Sequence, residues 1–519
     1  MNATAPPMRE AVAIIDFGSQ YTQLIARRVR SLGVYCEILP HSVSGADLAA
    51  RAPQAVILSG GPASVLDVGA PSLDETVLDL GVPVLGICYG MQLLAKLLGG
   101  GVQRAASCEY GPVRLCVDAA EGHLAGCPPA MDVWASHGDQ VIALPAGFRA
   151  LAHTDSCRIA AMADPARGLF GVQFHPEVVH TPQGAEVFRA FLFGVAGCTG
   201  GWTMAGFVEE AVGAIRRQVG GDRVLCALSG GVDSTVVAAL LDRAVGERCV
   251  CVFVDNGLLR EGEADAISRF FREEHPVNFR RVDAAAEFLE ALRGVTAPEE
   301  KRKLIGDRFI RVFRREAARL GPVRFLAQGT LYPDVIESCS ASGGLSATIK
   351  SHHNVGGLPA ELGFELIEPL RELFKDEVRL LGRELGLPDS VLTRQPFPGP
   401  GLAVRVLGEV TPEALRILRE ADLRVQEELE RWPGHGDVWQ SFAVLLPVKT
   451  VGVMGDERTY ANVVALRVVS SLDGMTSDWV RVPYDVLERV STRIINEVRG
   501  VNRVVYDVSS KPPSTIEWE

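Results

Sequence analysis

The sequence predicts an α/β protein: two doubly wound α/β domains with mostly parallel sheets, followed by a small α+β domain. Three observations carry this. Short runs rich in valine and isoleucine alternate with amphipathic stretches through most of the chain, as strands alternate with the helices that cover them. Two of these runs, "VLGICYG" and "VLCALSGGVDS", pass through glycines directly into a helical pattern. After "RQPFPGPGL", Arg394 to Leu402, where prolines and glycines forbid regular structure, the order changes to helix, strand, strand, helix, strand.

The bulk properties set limits. With 519 residues the chain has room for two to four domains, at roughly 100–200 residues each. Hydrophobic residues make up 47% of it, ample for packed cores. No apolar run is long enough to span a bilayer, and "MNATAPPMREA" lacks the charged start and apolar core of a secretory signal. The expectation is a cytoplasmic protein with no membrane partner. The eleven cysteines are scattered, with no C-x-x-C pair, and "CVC" at Cys249 and Cys251 is the closest approach. That argues for reduced thiols over disulfides or a structural zinc site. A formal net charge of −12 disfavours a nucleic-acid surface, while permitting basic pockets for small phosphates.

The first domain is expected over 10–201. Val82 to Ile87 reads as a buried strand. Met91, Leu94, Leu97 and Leu98 recur at helical spacing until Gly99 and Gly100 stop them. Cys88 stands on the turn between, with Gly86 and Gly90 two residues either side. This G-x-C-x-G is the layout of a nucleophile elbow, a sharp strand-to-helix turn that exposes the reactive atom. The helix N-terminus favours its thiolate. "GLFGVQFHPEVVH", Gly168 to His180, offers a base. Phe170, Val172 and Phe174 alternate as on a strand, and His175 is held extended by the following proline. Glu177, two residues on, points the same way and would fix its tautomer. "VILSGGPAS", Val56 to Ser64, is another strand ending in glycines, whose N–H groups would form half an oxyanion hole, the residue after Cys88 giving the other half. Singly, each piece reads as structure: a buried cysteine, a strand histidine, turn glycines. Together they describe acyl transfer.

"CTGGWT", Cys198 to Thr203, breaks the pattern and places a boundary near Trp202, with a second domain over 202–394. A helix-like segment leads to a strand at Val224 to Leu228, then to a loop and a helix from Asp233. The loop Ser229, Gly230, Gly231, Val232, Asp233, Ser234, Thr235 would present N–H groups, hydroxyls and a positive helix end to a phosphate, and Asp233 could hold magnesium. It lacks the lysine of a Walker A loop, which weakens a γ-phosphoryl-transfer reading. "VFVDNGLLR", Val252 to Arg260, is the next strand and turn. The third domain, 395–519, should contain a helix near Pro412 to Arg431, strands near Phe442 to Val453 and Ala461 to Val469, a helix near Tyr484 to Val498 and a strand at Arg503 to Val508. "KRK" at Lys301 to Lys303 reads as a solvated helix face. The adjacent histidines of "SHHN" cannot both face one metal from a regular strand, which excludes a zinc reading. The glycine-flanked stretch around them is a surface loop or a lid.

"GICYGMQ", "FHPE" and "LSGGP" resemble the class I glutamine amidotransferase domain. The resemblance implies that Cys88 attacks the glutamine side-chain amide, His175 shuttles protons, Glu177 orients His175, and Gly61 and Tyr89 supply the oxyanion-hole N–H groups. The S-G-G-x-D-S motif resembles the pyrophosphate loop of N-type ATP pyrophosphatases, which implies ATP contacts from Ser229 through Thr235 and from Val254 and Asp255, with magnesium on Asp233. "EEKRKLIG", "LAQGTLYPDVIES", "IKSHHNVGGLP", "PLRELFKDEVR", "PFPGPGLAVRVLGEV" and "SKPPSTIEWE" extend the likeness to the whole chain, which resembles the glutamine-hydrolysing GMP synthetase family. That implies adenylation of the C2 oxygen of xanthosine monophosphate by ATP, displacement of AMP by ammonia, and a homodimer formed through the C-terminal domain. It also implies Arg302 at the nucleotide and a tail that closes over the purine monophosphate, where Lys511 can meet a phosphate as a point charge, Glu517 can accept from purine N–H groups and Trp518 can bury apolar area as the anchor; Lys350 is the residue a lid would carry to the ATP phosphates. Two other readings stand beside it: the same modules with another acceptor, as in NAD or asparagine synthesis or nucleic-acid thiolation, and a catalytically silent nucleotide sensor. The intact Cys88, His175 and Glu177 argue against the sensor.

Overall fold

The computed structural model describes residues 10–321, 323–340, 364–454, 457–471, 474 and 476–519. The chain divides into two compact units, Met1–Thr203 and Met204–Glu519.

The first unit is built on a nine-stranded sheet: β1 (Ala11–Asp16), β2 (Tyr35–Pro40), β3 (Ala55–Leu58), β4 (Val84–Ile87), β5 (Gly101–Val117), β6 (Ala130–Ala143), β7 (Arg149–His153), β8 (Ala161–Asp164) and β9 (Leu169–Val172), in the order β2-β1-β3-β4-β9-β8-β7-β5-β6. The run β2-β1-β3-β4-β9 is parallel, and β8, β7, β5 and β6 extend it antiparallel. Every residue of β3, β4 and β9 is buried, as expected of central parallel strands covered on both faces. The alternation expected through Phe174 is therefore absent: β9 ends at Val172, and His175 lies beyond it. Parallel neighbours β3, β4 and β9 all end at one edge of the sheet. Ser59–Gly61, Cys88 and His175 follow them there, at the carboxyl ends of the strands where open α/β sheets bind ligands.

The second unit carries two sheets. β10 (Val224–Leu228), β11 (Cys249–Asp255), β12 (Phe279–Asp283), β13 (Phe325–Ala327) and β14 (Glu365–Ile367) form a parallel sheet in the order β12-β11-β10-β13-β14. β15 (Gln440–Met454) and β16 (Glu457–Ser470) form an antiparallel hairpin, to which β17 (Asp478–Trp479) and the parallel β18 (Val501–Tyr506) add. One hydrophobic core runs from Leu225 and Val252 through Leu402 and Leu415 to Val464 and Val490, so the segment after Arg394 packs directly against the second sheet. Lys301 is a correction to the solvated-face reading: its side chain is fully buried, on the helix Pro298–Leu320.

Candidate active sites

At the end of β4 the chain turns through Cys88 with φ 51° and ψ −105°. That left-handed φ is costly for a residue with a Cβ, and strain of this kind concentrates where it serves function. The flanking glycines make room for it. A Cβ on Gly86 would stand 2.6 Å from the Gly90 carbonyl carbon, and one on Gly90 would fall 2.7 Å from Leu58 Cβ. Cys88 thus begins the helix Tyr89–Leu97, its Sγ 3.7 Å from Ser136 O and 3.8 Å from Gln173 Nε2.

His175 is held from several sides. Its Nδ1 lies 2.8 Å from Glu177 Oε1, its backbone N–H donates to Trp134 O at 2.9 Å, and the Tyr21 ring meets it edge-on at 5.1 Å. Burial alone would lower its pKa, but the Glu177 charge and a hydrogen bond with Cys88 hold it well above the usual histidine value. The charged imidazole is thereby favoured beside the thiol.

Backbone accounting identifies the free donors. The Cys88 N–H donates to Val172 O at 2.8 Å and the Gly90 N–H to Ser59 O at 3.0 Å. The N–H groups of Tyr89 and Gly61 have no partner among the described residues, and Gly61 sits so that a Cβ on it would be 3.3 Å from Tyr89 Cγ. The Tyr89 phenol is not available for chemistry. It donates to Pro71 O, and burial, with the Asp67 charge, pushes its pKa to about 12.

Behind the cysteine lies a buried polar layer that the sequence reading missed. Gln92 Nε2 donates to Asp139 O at 2.9 Å and to Gln173 Oε1 at 3.3 Å. His137 bridges Asp139 O (3.0 Å) and Glu109 Oε2 (2.9 Å), and Glu109 Oε1 accepts from Thr154 and Ser156. Burial would raise the Glu109 carboxyl, but the bonds from His137, Ser156 and Thr154 bring it to about 2. The layer fixes residues 136–139, whose Ser136 carbonyl faces the thiol.

The second site forms where β10 enters the helix Val232–Val245. Gly230 takes φ 79°, in the left-handed region that glycine enters freely. The hydroxyls that the sequence reading offered to a phosphate are engaged within the loop. Ser229 N–H donates to Ser234 Oγ (3.2 Å), Gly231 N–H to Ser229 Oγ (3.2 Å), and Thr235 Oγ1 to Gly231 O (2.8 Å). Val232 and Thr235 are buried; Arg394 clamps the loop through Gly230 O at 2.8 Å and Glu263 at 3.0 Å. Both Asp233 oxygens lie 2.6 Å from Lys375 Nζ, a partner that sequence reading did not single out although "PLRELFKDEVR" contains it. Val254 is buried in β11, and Asp255 at its end pairs with Arg281 at 2.7 Å. Lys350 lies outside the described residues.

Residues 13–195 match the family model for glutamine amidotransferase class-I, 222–311 that for the tRNA methyl transferase HUP domain, and 427–518 that for the GMP synthase C terminal domain. Curated relatives run the length of the chain. A GMP synthase [glutamine-hydrolyzing] of Caldanaerobacter subterraneus is 56% identical over 98% of this chain and 99% of its own. That of Solidesulfovibrio magneticus is 59% identical over 98% and 99%, and that of Clostridium perfringens 54% identical over 99% and 100%. The chain belongs to the glutamine-hydrolysing GMP synthase family. It is a glutamine-dependent ligase.

The segment from Lys511 to Glu519 is packed, not frayed. Arg405, fully buried, grips Glu517 through two bonds of 2.8 and 3.1 Å, and Gln440 Nε2 adds a third at 3.0 Å. Lys301 Nζ reaches Val406 O (2.7 Å) and Glu519 Oε2 (2.5 Å), and Arg302 donates to the Glu519 backbone carbonyl. Lys511 pairs backbone to backbone with Ser477 and donates from Nζ to Gly474 O at 2.8 Å. Trp518 was expected to anchor the end by burial. Instead it is 37% exposed, its indole N–H donating to Asp507 at 3.0 Å, and Ile516 packs against Phe442 and Val444 in its place.

Proposed function

We propose that Cys88, His175 and Glu177 hydrolyse glutamine, and that the ammonia released is consumed at the loop Ser229–Thr235, where xanthosine monophosphate is adenylated and aminated to GMP. The observation that carries this is the pairing of a strained cysteine elbow with a raised-pKa histidine in a chain whose relatives are GMP synthases over their full length. The Cys88 thiolate attacks the amide carbon. The Tyr89 and Gly61 N–H groups receive the developing oxyanion, which is worth about 3–4 kcal/mol per donor in comparable sites. His175 gives its proton to the leaving ammonia and then takes one from the water that cleaves the thioester. Glu177 keeps Nδ1–H occupied, so that the other ring nitrogen faces sulfur.

At the second site the loop amides and the helix N-terminus grip the β and γ phosphates as a leaving unit. Magnesium fits the chemistry of Asp233, a hard carboxylate whose two oxygens already draw a cation, the Lys375 ammonium, to 2.6 Å. Held by Asp233, it would supply charge neutralisation for the departing pyrophosphate. Val254 and Asp255 border the adenosine, and Lys350 is assigned to the phosphates. Arg302, Lys511 and Glu517 hold the purine monophosphate; Glu517 keeps accepting capacity beyond its bonds to Arg405 and Gln440, since a carboxylate offers about four lone-pair sites. The domains are 10–201, 202–394 and 395–519. The assembly is a homodimer through the last, working in the cytoplasm. Incubation with glutamine, ATP, magnesium and xanthosine monophosphate should yield GMP, AMP, pyrophosphate and glutamate; ADP and phosphate would refute the adenylation step.

A further inference from the structure

Cys226 on β10 and Cys249 and Cys251 on β11 are not scattered in space. Their sulfurs lie within 4.8 Å of one another, the one group of three potential metal ligands among the described residues. Cys226 and Cys251 are opposite partners in the parallel register, and Cys249, two residues along, shares the face of Cys251, with its Sγ 3.8 Å away. All three are at most 2% exposed. The cluster lies toward the start of β11, with Asp242 and His275, both partly exposed, as neighbours of Cys251. That end of the sheet is opposite the phosphate loop.

Three sulfurs around one centre, with metal–sulfur bonds of about 2.3 Å, stand about 3.5–4 Å apart. The observed spacing reaches this with a shift of about 1 Å or less in side-chain position. Thiol ligands select soft centres. Charge then selects among them. A monovalent or divalent ion on three thiolates leaves net negative charge in an apolar interior, whereas a trivalent one leaves none. We propose that Cys226, Cys249 and Cys251 form a binding site for trivalent arsenic, taken up as its neutral hydroxide. Three As–O and three S–H bonds break, three As–S bonds form, and three waters leave; nothing is oxidised or reduced.

The test is titration of the reduced full-length protein with arsenite, read by native mass spectrometry and arsenic X-ray absorption. The expected result is a one-to-one adduct with three sulfur neighbours, formed equally by the parent, by Cys88→Ala and by Cys127→Ala. Cys226→Ala and Cys251→Ala should each weaken binding at least about 100-fold, the order contributed by one further tethered contact. Retained ammonium-driven GMP synthesis verifies that a variant is folded, and Cys249→Ala replaces any that is not. No adduct, two-sulfur coordination, undiminished binding in these variants, or tighter binding of cadmium than of arsenite would overturn the proposal.

Discussion

Among the described residues, Cys88 is the one cysteine with a left-handed backbone. The strain is tolerated because Gly86 and Gly90 surrender their side chains, so Gly90→Ala should abolish glutaminase activity while leaving ammonium-driven synthesis intact; glutamine turnover at parental rates would contradict the packing account. Glu177 supports the charged form of His175. The charged imidazole persists below the raised folded pKa of the histidine and is lost as pH rises through it. Glu177→Gln lowers that pKa, so the alkaline limb of glutaminase kcat/KM should move to lower pH; an unmoved limb would count against the charge effect. Glu109 is the opposite case. Its folded pKa of about 2 lies below the ordinary glutamate value of 4.5, so its stabilisation is complete above pH 4.5 and disappears as pH falls toward 2. It amounts to about 2–3 kcal/mol. Acid unfolding monitored by circular dichroism should therefore flatten over that window in Glu109→Gln, and a parental profile would refute it. The elbow, base and acid were readable because their spacing is local. Lys301 and Lys375 were not, since what buries one and pairs the other lies 218 and 142 residues away.

At the scale of elements, the strands β3, β4, β9 and β10 were legible as apolar runs, and the glycine loops after β3, β4 and β10 marked where chemistry collects. The adjacency of β4 and β9, which brings His175 to Cys88, was not legible, because pairing between strands 85 residues apart in register leaves no local trace. Nor were the antiparallel strands β5, β6 and β7, whose partly exposed composition resembles loop. The tail shows the same limit. Its polar sequence suggests fraying, yet Arg405, Lys301 and Arg467 fasten it. Deleting Lys511 to Glu519 would strip the buried Lys301 of its counter-charge, which costs about 3–5 kcal/mol, so the truncated protein should melt earlier as well as bind substrate poorly. Lys511→Ala separates the two effects. It should raise the KM for xanthosine monophosphate about 10- to 100-fold with ammonium as donor, the loss of one charge-assisted phosphate contact, with a far smaller drop in melting temperature than the truncation, since the fold loses the side-chain bond to Gly474 O and keeps the rest of the tail. An unchanged KM would remove Lys511 from the substrate site.

For the whole molecule, the central claim is that two compact units hold two separable chemistries, one releasing ammonia and one consuming it. Each site is assembled from its own unit: Cys88, His175 and Glu177 in the first, Asp233, Lys375 and Arg394 in the second. The most direct measurement is GMP formation by Cys88→Ala with either glutamine or an ammonium salt as nitrogen source, at saturating ATP, magnesium and xanthosine monophosphate. Synthesis from glutamine should vanish and synthesis from ammonium should continue at the parental rate. Loss of both in a folded protein, or survival of the glutamine reaction, would contradict the account.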